Sequence, residues 1–312
     1  NQAYLRPNWA RVVADLVKNQ GGKPFLTDCN TLYVGGRKNA LDHIESAYQN
    51  GFNPYNTGCH ILIADGLKGS DDVEVPVSGG EYVKTAKIGR AVMDADVFVS
   101  LTHFKGHEQA GMGGTLKNIG MGCGSRAGKM EMHSSGKPVV KREKCVGCRA
   151  CAIICAHGAP QFDEEGKADI DINQCAGCGR CLTICPKDAI AARNDAAPAI
   201  LNKKMAEYSK AVVNGRPCFH ISLVIDVSPH CDCHSENDVP LVPNVGMFAS
   251  FDPVALDQAC ADAVVAQPAL PGSMLFDEAC ACNKGDHFKR SHPNSDWNVC
   301  LCLLYTSPSP RD

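Results

Sequence analysis

The sequence predicts an α/β protein: a mostly parallel, doubly wound sheet, interrupted in mid-chain by a small cysteine-rich insert of α+β character. Three observations predict it. Strand-length apolar segments alternate with helical ones on both sides of the middle of the chain, the pattern of a parallel sheet with crossover helices. A phrase of four cysteines occurs twice between residues 145 and 185. The composition is that of a chain large enough to build its own core, with 312 residues, 44% hydrophobic, and a formal net charge of -3. That charge gives no electrostatic reason to expect nucleic acid or an acidic membrane surface, and no apolar run approaches a membrane span.

The elements follow in order. Trp9, Val12, Val13, Leu16 and Val17 recur at helical spacing and stop at Gly21-Gly22, a helix closed by glycine. KPFLT is a short strand. Leu41, Ile44 and Ala47 mark a second helix that ends at Gly51, and HILIAD is again a strand. ADVFVSLTHFK gives a third, with Val97, Phe98, Val99 and Leu101 running straight into His103. Beyond the insert, residues 198–213 are helical in composition, CFHISLVIDV is a buried-type strand and VGMFAS another. Asp252-Pro253 then opens a helix, with the Asp as N-cap and the Pro at the first helical position. The expected organisation is a first part of the α/β domain over 1–140, the insert over 141–192, a second part over 193–300, and a non-native tail over 301–312. Insertions of this kind sit on surface loops.

The insert carries the plainest chemistry. Nineteen cysteines would mean a disulfide framework only in a short secreted chain. A zinc site would want two C-x2-C pairs separated by a longer loop. CVGCRACAIIC, from Cys145 to Cys155, and CAGCGRCLTICP, from Cys175 to Pro186, each have three cysteines at gaps of two and a fourth after a gap of three. That spacing is the bacterial ferredoxin run, in which three thiolates hold one 4Fe-4S cube and the fourth ligates the other. Residues 141–192 thus resemble a two-cluster ferredoxin module with crossed ligation. Cys145, Cys148, Cys151 and Cys185 would hold the first cluster, and Cys175, Cys178, Cys181 and Cys155 the second. Gly147, Ala150, Ala176, Gly177 and Gly179 let the backbone wrap closely and turn its N–H groups toward sulfur. The first half departs from the pattern at its end, where Ala156 follows Cys155 and proline comes only at 160.

Residues 102–133, THFKGHEQAGMGGTLKNIGMGCGSRAGKMEMH, hold three histidines and many glycines directly after a strand, where open α/β sheets bind ligands. Nucleotide motifs fail there. A Walker loop would need Gly at 123 and Ser or Thr at 130, where Cys123 and Met130 stand, and no strong strand precedes Gly122, Gly124 and Ala127. A second polar cluster, SPHCDCHSEND at 228–238, places Cys231 and Cys233 between His230 and His234, the makings of a metal or redox site or of a plain packed loop. Cys29, Cys59, Cys218, Cys260, Cys280, Cys282 and Cys300 are scattered and receive no role.

HFKGHEQAGMGGTLKN, GMGCGSRAGKMEMH, DVSPHCDC and GMFASFDPVALDQA, in this order around the insert, resemble the family called domain of unknown function 362. The resemblance runs from Ala3 to about Asn298. It implies an iron-sulfur protein of anaerobic bacteria or archaea, without a settled substrate, and implies that both ends are incomplete. CLLYTSPSPRD is similar to translated library adaptor, so the chain from about Cys302 onward is set aside. His107, with Gly111, Gly113 and Gly114 leading to Lys117, is also similar to the histidine-to-lysine glycine loop of the nickel-pincer lactate racemases. That likeness implies His107 as an acid/base and Lys117 as a cofactor anchor, although Asn118-Ile119 replace that family's proline-glycine. Alternatively, Lys117 and Arg126 bind a carboxylate or phosphate, or form ordinary salt bridges.

Three functions from different classes fit: an electron-transfer protein, a reductase whose clusters feed a site between the glycine segment and the Cys231-Cys233 loop, and a metal- or cluster-handling protein. The expectation adopted is electron transfer through two 4Fe-4S clusters, with an unidentified redox reaction on the α/β domain, a redox partner protein, and a further metal or organic cofactor left open. Many thiols without a signal segment point to the reducing cytoplasm, though the chain begins at Asn1 without a methionine. Replacing Cys178 with Ala is expected to bleach one cluster and leave the α/β domain folded. Iron content unchanged in that variant would refute the ligand assignment.

Overall fold

The computed structural model describes residues 4–33, 35–133, 137–175, 177–193, 198–231, 238–280 and 283–305. Helix α1 (Pro7–Asn19) begins with proline at its first turn, where a missing N–H is harmless. It buries Ala10 and Ala14 but leaves Val12 and Leu16 exposed, so the periodicity locates the helix without identifying its buried face. β1 (Phe25–Asp28), α2 (Ala40–Gln49), the short α3 (Pro54–Thr57) and β2 (His60–Ile63) form a β-α-β unit, with β1 and β2 parallel from Phe25↔His60 to Asp28↔Ile63. Asn39 caps α2, its side-chain oxygen accepting from the Leu41 and Asp42 amides.

β3 (Asp72–Pro76) and β4 (Thr85–Gly89) make an antiparallel hairpin, followed by α4 (Arg90–Asp94) and β5 (Phe98–His103). The glycine-rich segment is regular structure, not a continuous ligand loop. It folds into a second hairpin, β6 (Lys105–His107) with β7 (Gly111–Gly113), and two helices, α5 (Thr115–Cys123) and α6 (Arg126–His133). The cysteine segment contributes β8 (Pro138–Val140), α7 (Ala150–Ile154), β9 (Pro160–Phe162), β10 (Ala168–Ile170), α8 (Arg180–Ile184) and β11 (Ile190–Ala192). The chain then returns to the body with α9 (Pro198–Val213), β12 (Cys218–Val224), β13 (Gly246–Ser250), α10 (Pro253–Val265), α11 (His287–Ser291) and α12 (Asn298–Tyr305). Asp252 caps α10 as the sequence predicts, accepting from Val254 and Ala255.

The architecture is mixed α/β, and the expected mostly parallel sheet is corrected. Among the described residues, parallel pairing joins β1 to β2 and β5 to β12 only, while the remaining pairs are antiparallel. β13 lies antiparallel on the other side of β12, in the order β13-β12-β5. A parallel return needs a crossover of a dozen residues or more, usually helical. The connection from 225 to 245 shows no helix among its described residues, and the strand comes back the opposite way.

Helix α9 is the axis of the core. Leu201, Met205, Ala206, Tyr208 and Val212 are buried along it, and α5, α6 and α12 pack around it. Its polar residues are anchored. The Glu207 carboxylate accepts from the amides of Glu81, Tyr82 and Val83, closing the β3–β4 turn, and the Tyr208 hydroxyl donates to Glu131 at 2.8 Å. Two glycines set how closely the helices approach: a Cβ on Gly120 would lie 2.2 Å from the Met205 carbonyl oxygen, and one on Gly128 2.4 Å from the Lys87 carbonyl oxygen. The segment set aside as a tail enters α12, where Cys300 and Leu301 are buried and the Cys300 thiol donates to the Asn202 carbonyl.

Substituting Ala at Gly120 is expected to cost about 1–3 kcal/mol by overpacking α5 against α9. At Gly122, one turn-face away, a Cβ meets nothing closer than 3.6 Å, so the same change gains up to about 1 kcal/mol from helix propensity. Thermal denaturation of the two variants side by side checks this, and equal shifts would be incompatible with it.

Candidate functional site

The cysteine segment is built twice. Each element recurs with a shift of 30 residues: Pro138–Val140 with Ala168–Ile170, Ala150–Ile154 with Arg180–Ile184, and Pro160–Phe162 with Ile190–Ala192. The strands pair across the repeat, β8 with β11 and β9 with β10, both antiparallel, and α7 packs on α8. The turns repeat as well. Gly147 and Gly177 take φ of 68° and 73°, and the residues just before the helices, Arg149 and Gly179, take 60° and 72°. Such left-handed positions are easy for glycine and costly for arginine. The Arg149 guanidinium lies over the Phe162 ring, 4.6 Å from its centre, which offsets part of that cost.

Crossed pairing decides which thiols meet. A surface pocket is lined by Cys145, Cys148, Cys151 and Cys185, with Phe162 and Ile190 among its apolar walls. Three of these thiols come from the first phrase and one from the end of the second. In the other half, the charges of Cys175, Cys178, Cys151 and Cys155 all act on Cys181. Backbone amides are turned to sulfur in both halves: Ala168 N–H to Cys145 at 3.3 Å, Gly177 to Cys175 at 3.4 Å, and Ala189 to Cys185 at 3.2 Å. The Ala168 amide draws the Cys145 thiol below its usual range, while burial and then the neighbouring thiols push Cys181 up to about 12. Gathered thiols that suppress one another's ionisation are the kind a bound cation ionises. Among the described residues no three of His, Cys, Asp and Glu are arranged to hold a single metal ion. Four thiols lining one pocket are the donor type that a polynuclear cluster, ligated at several corners, would use.

The glycine segment is placed differently from a ligand loop. His107 is buried at the end of β6, its Nδ1 accepting from the Gln109 and Ala110 amides at 3.1 Å each, with Glu108 Oε1 3.8 Å from its Nε2. The space a Cβ would take at Gly111 is filled by Trp297, at Gly114 by the Asp257 carboxylate, and at Gly113 it is bordered by Lys105. The Lys117 ammonium reaches Cys231 Sγ at 3.4 Å, and the Gly106 amide donates to the Ser228 carbonyl, so this segment packs on the 228–231 stretch. Cys233 lies outside the described residues. Arg126 is fully buried against Gly69 and Gly179, and its guanidinium donates to the Lys38 carbonyl.

Several polar residues here were not singled out in the sequence. Asp257, on α10, accepts from the Thr115 and Leu116 amides at the start of α5, at 2.6 and 2.9 Å, and burial pushes it up to about 6. An acid within the apolar run Leu256, Cys260, Ala261 and Val264 was the available signal. Lys129 closes the other end of α5, donating to the Gly122 and Gly124 carbonyls. His133, beside the Tyr33 hydroxyl at 3.3 Å, is lowered to about 4 by burial first and then by the charges of Lys117 and Lys129.

Comparison with known proteins adds a family and a distant fold likeness. A family model described as "Domain of unknown function (DUF362)" matches residues 1–262. No curated protein matches the chain. Among solved structures the chain is similar to the lactate racemase apoprotein from Thermoanaerobacterium thermosaccharolyticum, with 14% identity and a TM-score of 0.45, over 85% of this chain and 48% of that one. The chain thus spans about half the length of the racemase structure, and a likeness at this level carries no argument about activity. No helix among the described residues is long and apolar enough to cross a membrane.

The His133 shift has a pH signature. A histidine at about 4 in the fold and 6.5 when unfolded stabilises the protein fully above pH 6.5 and loses that contribution as pH falls toward 4. The loss amounts to about 3 kcal/mol. Denaturant titrations across this window should show the His133→Gln variant losing less stability than the parent.

Proposed function

The chain belongs to the family described as Domain of unknown function (DUF362), and we propose that this member passes electrons through two 4Fe-4S clusters, to or from a redox site on its α/β body. The observation that carries the reading is the pocket whose wall includes Cys145, Cys148 and Cys151 together with Cys185, from 30 residues beyond Cys155. In this reading Cys145, Cys148, Cys151 and Cys185 hold one cluster, and Cys175, Cys178, Cys181 and Cys155 the other. When bound, such clusters supply one-electron redox chemistry. The chain's own groups then do the rest. The Ala168, Gly177 and Ala189 amides donate to ligand sulfurs and favour their charged form. Phe162 and Ile190 give the first site an apolar wall. Cys148 and Cys178, both exposed, mark the edges nearest an electron donor or acceptor, taken here to be a separate protein.

A second reading rests on the Lys117–Cys231 contact, which brings the glycine segment to the 228–231 stretch. There the α/β body would hold a further cofactor or substrate, with His107 moving a proton and the clusters supplying electrons.

Iron and sulfide analysis with EPR on anaerobically purified protein decides. About eight iron and eight sulfide per chain, with reducible cubanes, is expected. The Cys185→Ser variant should alter the signal of the cluster that Cys148→Ala abolishes, and not the one lost in Cys178→Ala. Zinc in place of iron, or Cys185→Ser grouping with Cys178→Ala, would overturn the assignment. A further stoichiometric metal or organic group lost on replacing Lys117 would establish the second reading.

A further inference from the structure

Arg126 is a cation with no exposed surface. One guanidinium nitrogen donates to the Lys38 carbonyl, while Nε and Nη1 have no hydrogen-bond partner among the described residues, and no described carboxylate forms an ion pair with it. Its stem is wedged between two glycines. A Cβ on Gly179 would lie 2.9 Å from Arg126 Cγ and 3.0 Å from Cδ, and one on Gly69 2.6 Å from Nε. Gly179 is the left-handed residue between Cys178 and Cys181, so the arginine lies directly against the turn of the second cysteine phrase. Beyond burial, the charges that act on it are those of Asp65, itself buried with a raised pKa, and then of Cys181. One turn further along α6, Met130 touches the same glycine.

A buried guanidinium left partly unpaired costs several kcal/mol, so the surroundings must hold a compensating negative charge. Four thiolates around a cluster, gaining one more negative charge on reduction, are such a counter-charge, and a guanidinium with no exposed surface is screened less than an exposed cation. The two halves differ here. The position equivalent to Gly179 is Arg149, whose side chain is exposed and stacks on Phe162; of the other cations at the first site, Lys187 on the pocket wall is exposed, and Lys167, bonded to the Cys145 carbonyl, is half-exposed. Exposed charges are screened by solvent and salt.

We propose that Arg126 tunes the reduction potential of the cluster held by Cys175, Cys178, Cys181 and Cys155, its buried charge favouring the added electron and making this cluster the more easily reduced of the two. This inference rests on the iron-sulfur reading above. Arg126 touches no reacting atom and acts as a positioning charge.

The test is a dithionite titration of the full-length, anaerobically purified protein, one electron per cluster, followed by EPR. Signals are assigned to each cluster through Cys148→Ala and Cys178→Ala. In Arg126→Gln, with about eight iron retained, the ratio of reduced to oxidised Cys178-side cluster at its parental midpoint should fall about tenfold or more, a shift of about 59 mV for one electron. The other cluster should hold its midpoint, and Arg126→Lys, which keeps the charge, should shift the first by less. An unmoved midpoint in Arg126→Gln, or equal shifts in the Gln and Lys variants, would overturn the inference. If Arg126→Gln fails to fold or loses iron, the parent decides: the Cys178-side cluster must have the higher midpoint, and the reverse order refutes the proposal. A parent without eight iron fails at the earlier step, the iron-sulfur reading itself, and takes this inference with it.

Discussion

The strand exchange between the two halves of the cysteine segment is the constraint on which its site depends. β8 pairs with β11 and β9 with β10, so each half completes the other's small sheet. Neither half has a partner for its own strands, and a two-stranded ribbon alone is marginal in water. The exchange carries the end of each short helix over to the opposite triad, which is why Cys185 stands with Cys145, Cys148 and Cys151. Left-handed residues at equivalent places in both turns then point amides inward. Spacing within a phrase fixes three thiols locally; the pairing of distant strands supplies the fourth.

The body is organised by a different device, close approach of backbone to backbone at glycine. α5 reaches α9 at Gly120, and α6 reaches β4 and Tyr208 at Gly128. Both ends of α5 are closed by buried side chains of opposite charge, Asp257 at its start and Lys129 at its end, in the sense that complements the helix dipole. α6 also contributes to the second layer of packing: Met130 belongs to the apolar cluster of Cys145, Cys151 and Leu182, while Met132 belongs to the main core. One short helix therefore serves both hydrophobic clusters.

What was legible in the sequence follows from how local each signal is. The helices at 7–19, 198–213 and 253–265 and the strands at 98–103 and 218–224 were visible because periodicity, caps and β-branched runs are read within a few residues. The cysteine phrases were visible for the same reason. The glycine-rich segment misled, since a helix that packs through glycines has no apolar stripe of the usual kind; Leu116 and Ile119 are the large residues among its buried positions. Direction of pairing was not readable for β13, because it depends on whether the preceding connection crosses the sheet. Val12 and Leu16 show the limit of periodicity itself, which names a stripe without saying what covers it. Asp257, Lys129 and His133 acquire their roles from contacts across the chain, and no spacing announces those.

The entry and exit of the cysteine segment are themselves a hydrogen-bonded pair, with Pro138 facing Ala192 and Val140 facing Ile190. Strands so paired are separated by about 4.7–4.9 Å, little more than one residue's span. From the standpoint of the surrounding body, more than fifty residues of chain amount to a gap that a single peptide unit nearly closes. Such a segment can be gained, lost or transplanted in descent without stretching the host, and its two halves, each needing the other's strands, travel together or not at all.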